Sequence, residues 1–171
     1  MMKTALFVIA HPDDEAYGPA GTIYKLSTTH RVVVVVMCNG RRPGAEHVAN
    51  QRQQTFENNC YLLGCECVMY SNDDLHLDKH VANEIFTSSV NTFAPDVVYT
   101  HSPADLHVDH RIIAESSLVA CRPTPDCSVR QLMFFEVPGA TDWAFGQLNN
   151  QFAPTVYSDV SHLMHIKRQL S

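Results

Sequence analysis

Basic residues are scarce in this chain, which carries 12 lysines and arginines against 18 aspartates and glutamates. The formal net charge is -6, and no basic stripe is available to neutralise phosphates, so we expect no nucleic-acid partner. No apolar stretch reaches the roughly 20 residues that a membrane-spanning helix needs. The apolar run near the N-terminus resembles a strand and leads straight into polar residues. We therefore expect a cytoplasmic protein with neither a membrane span nor a signal peptide.

Two patterns that mark specific functions are also missing. The six cysteines include no CxxC pair, which argues against a structural zinc site and favours reduced thiols packed as small hydrophobic side chains. No GxGxxG motif follows the first predicted strand, so a nucleotide-binding Rossmann protein is not supported. The composition, 45% apolar and 18% charged, instead fits a single globular domain over residues 1–171.

Strand and helix patterns alternate along the chain. Strands are predicted over 4–10, 31–38, 65–70, 96–100 and 131–137, with one more short strand over 156–160. Helices are predicted over 19–28, 45–63, 78–93 and 107–120, with a last one beginning near residue 162. This alternation predicts an α/β, Rossmann-like fold, in which a mostly parallel sheet carries helices on both faces. In the strand order 3-2-1-4-5, the first and fourth strands are neighbours where such sheets bind ligands.

Two polar clusters directly follow those two neighbouring strands. Residues 10–15 (AHPDDE) place an imidazole and three carboxylates after the first strand, and residues 105–110 (DLHVDH) repeat that chemistry after the fourth. Carboxylates crowded this closely repel one another unless a counter-charge is present. The sequence therefore predicts one metal site, built from both clusters, at the carboxyl edge of the sheet.

Three of these side chains are predicted to be the metal ligands. A catalytic zinc ion usually takes three protein ligands, often two imidazoles and one carboxylate, and keeps one position for water. His11 and Asp14 lie three positions apart in a turn and can converge on one ion, with His110 as the third ligand. Asp13 then remains free beside a ligand, where it is placed to act as a general base on water.

The second cluster contributes two further catalytic candidates. His107 is placed to donate a hydrogen bond to a developing oxyanion, and Asp109 to hold that ring in its protonated form. His101 ends the fourth predicted strand, and two interpretations stay open: it contacts the site, or it merely closes the strand.

The two clusters resemble the motifs of the PIG-L/LmbE-like deacetylase family. The similarity extends to Gly21-Thr22-Ile23, Asn39-Gly40, Arg52, Thr100-His101 and Phe152-x-Pro154 with the following Val156–Val160 segment, so it spans most of the chain. The resemblance implies a zinc-dependent hydrolase that removes the acetyl group from an N-acetylglucosamine-type sugar conjugate. The expected partner is thus a small amino-sugar conjugate, bound by a monomer or by a homo-oligomer.

The resemblance also implies a role for each motif residue. The implied zinc ligands are His11, Asp14 and His110, and the implied acid/base is Asp13. His107, together with Asp109, is implied to stabilise the tetrahedral intermediate. Zinc is the expected ion, and iron or another divalent metal stays open as the hydrolytic metal. Relatives commonly continue well beyond the position of the last residue here, so we expect a domain that is short at its C-terminus.

Three residues outside these roles are candidates for substrate binding. Glu15 either accepts a hydrogen bond from a sugar hydroxyl or anchors its own loop. Arg41 and Arg42 are candidates to hold an anionic group on the far side of the sugar conjugate, and we expect at least one of them to be simply solvated.

Two competing functions remain at this stage. Two histidines and one carboxylate also describe the facial triad of non-haem iron oxygenases, although those sites usually occupy β-barrels rather than alternating α/β folds. A catalytically weak or inactive domain of the same family is the second alternative. Such a domain would keep the metal and act as a sugar-binding or partner-binding module.

Overall fold

A five-stranded, all-parallel sheet organises the computed structural model, which describes residues 2–41, 44, 46–144 and 151–170. The strands are β1 Thr4–Ile9, β2 Arg31–Cys38, β3 Glu66–Asn72, β4 Val97–His101 and β5 Gln131–Phe135. Their spatial order is β3-β2-β1-β4-β5, with every neighbouring pair parallel. The predicted α/β class and the predicted 3-2-1-4-5 order are both confirmed.

Helices cover both faces of the sheet. They are α1 Asp14–Tyr17, α2 Ala20–Ser27, α3 Glu46–Leu63, α4 Lys79–Phe93, α5 Val108–Ala120 and α6 Met164–Lys167, with 3-10 turns at Asp142–Ala144 and Ser161–Leu163. Helices α2 and α3 pack into the core on one face, and α4 and α5 pack into the core on the other. None of the helices in the described ranges is both long and apolar enough to cross a membrane.

The central strand, β1, supplies side chains to both cores. Residues 5–9 of β1 are completely buried, as expected for a parallel strand that is covered on both faces. Alternate side chains point to opposite sides, so Leu6 and Val8 join the core under α4 and α5. Phe7 and Ile9 join the core under α2 and α3. The sheet is therefore held rigidly on both sides just before β1 reaches its polar end.

The turn between α3 and β3 has the geometry that its glycine predicts. Gly64 adopts a positive φ of 69°, and its N–H donates to the carbonyl of Tyr61 at 3.2 Å. The N–H of Cys65 donates to the carbonyl of Cys60 at 3.0 Å, which completes a Schellman motif. The predicted C-terminal end of this helix at Gly64 is confirmed.

Two local predictions differ from the structure. The strand expected over 156–160 is wrong: the segment pairs with no strand, and Val156 and Tyr157 are 64% and 82% exposed. The sheet ends at β3 and β5, and the segment adds to neither edge. The short helix α1 was not expected; it forms because the carbonyl of Asp13 accepts the N–H groups of Ala16 and Tyr17, both at 3.0 Å.

Candidate metal centre

The two polar clusters meet at the carboxyl edge of the sheet. Strands β1 and β4 are neighbours, with Val8 paired to Thr100, so both chains leave the sheet at the same level. The hydroxyl of Thr100 donates to the carbonyl of Val8 at 2.8 Å and joins the two strand ends. This register brings together residues that lie about a hundred positions apart, as the sequence predicted.

Two of the predicted ligands, His11 and His110, approach the carboxylate of the third, Asp14, which is 4% exposed. The Nδ1 atom of His11 lies 3.6 Å from Oδ2 of Asp14, and the Nε2 atom of His110 lies 3.4 Å from Oδ1. The opposite nitrogen of each ring faces another carboxylate: Nε2 of His11 lies 3.0 Å from Asp109, and Nδ1 of His110 lies 3.1 Å from Asp105. Carboxylates commonly orient metal-binding imidazoles in this way. In the described part of the chain, the predicted ligands divide between two groups that could each hold a divalent cation: His11 and His110 with His107, and Asp14 and His110 with His101.

Buried negative charge is in excess at this centre. The buried carboxylates of the two clusters and of the loop after β3 are Asp14, Glu15, Asp74, Asp105 and Asp109. Burial opposes the protonation of His11, yet its hydrogen bonds to carboxylates raise the pKa of the ring to about 12. Burial likewise opposes protonation of His110, but the charge of Asp14 and the contact with Asp105 raise its pKa to about 9. The site thus attracts positive charge, which a divalent cation would supply.

Asp13 lies at the mouth of the centre, next to the ligands. Its backbone adopts a φ of 155°, which side chains other than glycine rarely adopt. Burial and the neighbouring charge of Asp14 raise the pKa of its carboxyl group to about 6. A guanidinium nitrogen of Arg52 approaches Oδ2 of Asp13 at 3.9 Å. Asp13 is therefore partly exposed at the mouth of the centre, beside His11 and Asp14 in the chain.

Glu15 anchors the loop rather than facing the outside. Its side chain is 0% exposed. One carboxylate oxygen accepts the N–H of Asp13 at 3.0 Å, and the other accepts the side-chain amide of Asn59 on α3 at 2.9 Å. Of the two roles left open for Glu15, the anchoring role is the one that these contacts support, because no surface of the side chain is left for a sugar hydroxyl.

The carboxylate of Asp109 has a different partner from the one expected. It accepts the N–H of Leu75 at 2.9 Å and lies against His11, whereas it was expected to hold the ring of His107. His107 is the N-cap of α5, and its Nδ1 accepts the backbone N–H of Asp109 at 3.3 Å. In the neutral ring this places the hydrogen on Nε2, which lies 3.8 Å from Oδ1 of the buried Asp74.

The two arginine candidates have separate outcomes. Arg41 is exposed, and its Nε lies 3.5 Å from the carboxylate of Asp73. Its backbone N–H donates to the side chain of Asn39 at 2.9 Å, which holds the loop after β2. Arg42 lies outside the described residues.

Several residues at the centre were not among the predicted site residues. Asp74 follows β3, is 1% exposed, and places Oδ1 3.1 Å from Nε2 of His11. The rule that located the other clusters could have found it, because two carboxylates directly follow this strand as well. Asn59 and Arg52 both come from α3, and a helical amide or guanidinium carries no local signal of such contacts. A Cβ at Gly40 would meet the Arg52 side chain at 2.9 Å, so that glycine leaves the space which Arg52 occupies.

Comparisons with known proteins show similarity in sequence and in fold. The sequence model of the family described as PIG-L, GlcNAc-PI de-N-acetylase, matches residues 6–121, which is more than half of the chain and includes both clusters. A curated relative, the uncharacterized deacetylase YaiS of Escherichia coli (strain K12), is 26% identical over 166 residues. That alignment covers 92% of this chain and 82% of the relative.

Solved structures share the fold at lower sequence identity. The N,N'-diacetylchitobiose deacetylase from Pyrococcus horikoshii has a TM-score of 0.69 and 21% identity, covering 98% of this chain and 68% of that one. GalB, the 4-carboxy-2-hydroxymuconate hydratase from Pseudomonas putida KT2440, has a TM-score of 0.74 and 18% identity, covering 99% and 77%. The same architecture thus serves a deacetylase and a hydratase, so the fold by itself does not define the reaction.

Proposed function

The chain belongs to the PIG-L family, a deacetylase family, and from that membership we propose that it is a metal-dependent N-deacetylase acting on a small N-acetylated amino-sugar conjugate. The products are acetate and the free amine. Zinc is the proposed ion, and the proposed ligands are His11, Asp14 and His110.

One observation carries this proposal. Two imidazole nitrogens, Nδ1 of His11 and Nε2 of His110, face opposite oxygens of Asp14 at 3.6 and 3.4 Å. Each ring is oriented from behind by its own carboxylate, so the inward nitrogens are free to act as ligands. Asp13 is adjacent in sequence to the central ligand and lies at the open side, which is the arrangement that metal-assisted amide hydrolysis needs.

A bound zinc ion supplies Lewis-acid activation of water and of the amide carbonyl. The carboxylate of Asp13 removes a proton from the attacking water as the oxygen approaches the acetamide carbon. The Nε2–H of His107 donates to the carbonyl oxygen while negative charge develops on it. When the carbon–nitrogen bond breaks, Asp13 returns the proton to the departing amine, and acetate remains.

The remaining polar groups at the mouth suggest how the substrate is held. Arg52 is half-exposed beside Asp13, and Arg41 is exposed on the loop after β2. A cationic rim of this kind suits a conjugate that carries an anionic group next to its amino sugar. Arg42 stays a proposed member of this rim on sequence grounds alone.

The experiment is an acetate-release assay on a panel of N-acetylglucosamine conjugates, with and without a chelator. We expect acetate release by the wild type, abolished by the chelator and restored by added zinc. The Asp13→Asn variant should lose acetate release while its metal content stays unchanged. An absence of metal-dependent turnover over the whole panel would defeat the proposal and favour the alternative of a metal-containing sugar-binding or partner-binding module. Turnover on hydratable enoic acids without acetate release would instead favour a hydratase.

A further inference from the structure

His101 is a completely buried imidazole that the proposed chemistry leaves without a role. It ends β4, and its ring stacks on the ring of His110 with a centroid distance of 3.8 Å and an interplanar angle of 15°. Its Nε2 accepts the backbone N–H of Ala10 at 2.9 Å and lies 3.3 Å from Oδ2 of Asp14. The ring of His101 therefore contacts two proposed ligands, Asp14 and His110. It also contacts the residue that precedes the third ligand, His11.

The hydrogen bond to Ala10 comes where the sheet ends. The register of β1 with β4 stops at the pair Val8–Thr100, so the β4 backbone supplies no further partner. On that side, the Nε2 atom of the His101 side chain accepts the N–H of Ala10 instead. On the other side, the carbonyl of Ala10 accepts the N–H of Cys38 from β2 at 2.8 Å. The backbone of Ala10, the residue that precedes His11, is thus held from both neighbouring strands.

The ring face of His101 sets the plane of a second ligand. His110 comes from α5, and a single turn of helix leaves its ring free to rotate unless something packs against it. His101 packs on one face of that ring, and Phe135 of β5 supports His101 at a centroid distance of 5.1 Å. Together with Asp105 at Nδ1 of His110, this contact fixes the direction of the Nε2 atom.

We propose that His101 is a positioning residue of the metal centre: its Nε2 holds the backbone N–H of Ala10, the residue before His11, and its ring fixes the plane of His110. This inference rests on the metal-binding part of the proposed function. Direct ligation by His101 is the competing role, because its ligand atoms lie within 4.8 Å of those of Asp14 and His110. Ligation through Nε2 would cost the bond to Ala10 and leave a buried N–H without a partner, which is unfavourable.

The test measures cobalt binding by the metal-free protein. Wild type, His101→Phe and His101→Gln are titrated with Co²⁺, and the dissociation constant, the visible absorption of the complex and the melting temperature of each metal-free form are recorded. Phenylalanine keeps a planar ring but has no acceptor, whereas glutamine offers an acceptor near the position of Nε2. His80→Phe is the control, because His80 is an exposed histidine on α4.

We expect His101→Phe to weaken Co²⁺ binding about 10- to 100-fold, the range seen when an outer partner of a ligand is lost. His101→Gln restores the acceptor but not the ring face, so it should recover part of that loss, with an absorption spectrum like that of wild type. His80→Phe should change neither the affinity nor the spectrum. A lower melting temperature with unchanged Co²⁺ affinity in His101→Phe would overturn the proposal, and so would equal losses in both variants or a spectrum that shows a missing ligand.

The result separates this inference from the proposed function. A wild type that binds Co²⁺ but releases no acetate refutes the deacetylase proposal, and the comparison of the variants still decides the role of His101. A wild type that binds no Co²⁺ refutes the inference itself.

Discussion

The two ends of the same parallel sheet treat charge in opposite ways. At the amino end, Arg31 and Glu66 pair one to one across β2 and β3, with two hydrogen bonds of 2.7 and 2.8 Å in an exposed position. At the carboxyl end, five buried carboxylates gather around the imidazoles of the two clusters. The exposed pair balances one charge against one, whereas the charge of the buried carboxylates depends on the protonation of neighbouring histidines or on a bound cation. The difference distinguishes an ordinary surface ion pair from the cluster of buried titratable groups that marks the candidate site.

The largest difference between the two ends of the sheet is expected when a proposed metal ligand is removed. His110→Ala deletes one of the two nitrogens that face Asp14, so we expect loss of bound metal and of acetate release by more than the roughly 100-fold that an outer partner costs. Metal content after purification and the acetate-release rate are the measurements. Glu66→Gln at the amino end is the control and should keep both. A His110→Ala protein with full metal content would refute the ligand assignment.

Asp13→Asn should affect the reaction without affecting the metal. Asparagine keeps the size of the side chain but cannot accept the proton from water, so kcat should fall by about 100- to 10,000-fold. Metal affinity should stay close to that of wild type, because Asp13 is not a proposed ligand. Asp126→Asn, an exposed carboxylate on the loop after α5, is the matched control. Equal rates in Asp13→Asn and wild type would remove Asp13 from the mechanism.

Asp105→Asn tests whether a buried carboxylate behind a ligand matters. Asp105 faces Nδ1 of His110 and is held by the hydroxyl of Thr141 at 2.9 Å and the N–H of His107 at 2.8 Å. We expect metal affinity to fall about 10- to 100-fold in a zinc titration against a competing chelator. Thr141→Val, which removes only the hydroxyl bond, should show a smaller loss in the same direction. An unchanged zinc affinity in Asp105→Asn would contradict this reading of the site.

The smallest effect is expected at the amino end. The hydrogen bond from Arg31 lowers the pKa of Glu66, so the pair stabilises the fold above the ordinary carboxyl pKa, and the stabilisation is lost as pH falls through the lowered value. Glu66→Gln should lower the free energy of unfolding by about 0.2–1 kcal/mol at neutral pH. Urea unfolding at neutral and acidic pH measures this, and the difference between the variants should disappear in acid and shrink in high salt. A loss that persists in acid would rule out the ion pair as its cause.

Much of this architecture was predictable because its signals are local. The valine run of β2 predicted a buried parallel strand, the glycine after α3 predicted the end of that helix, and the alternation of elements predicted a parallel sheet. The two clusters after β1 and β4 predicted where the candidate site lies. The segment 156–160 was wrongly predicted as a strand, because its residues add to neither edge of the sheet. Glu15 shows a similar limit: its carboxylate is buried because Asn59, 44 positions away, reaches it from α3.

The sequence by itself determined the fold class, the residues of the two clusters and their arrival at one edge of the sheet, because strand periodicity and chain order depend on neighbouring residues. Only the tertiary structure decided which buried groups face one another: Asp109 with His11 rather than His107, Asp74 beside His11, and His101 stacked on His110. Such partnerships depend on distances of a few ångströms between distant parts of the chain, which are set when helices pack on both faces of the sheet.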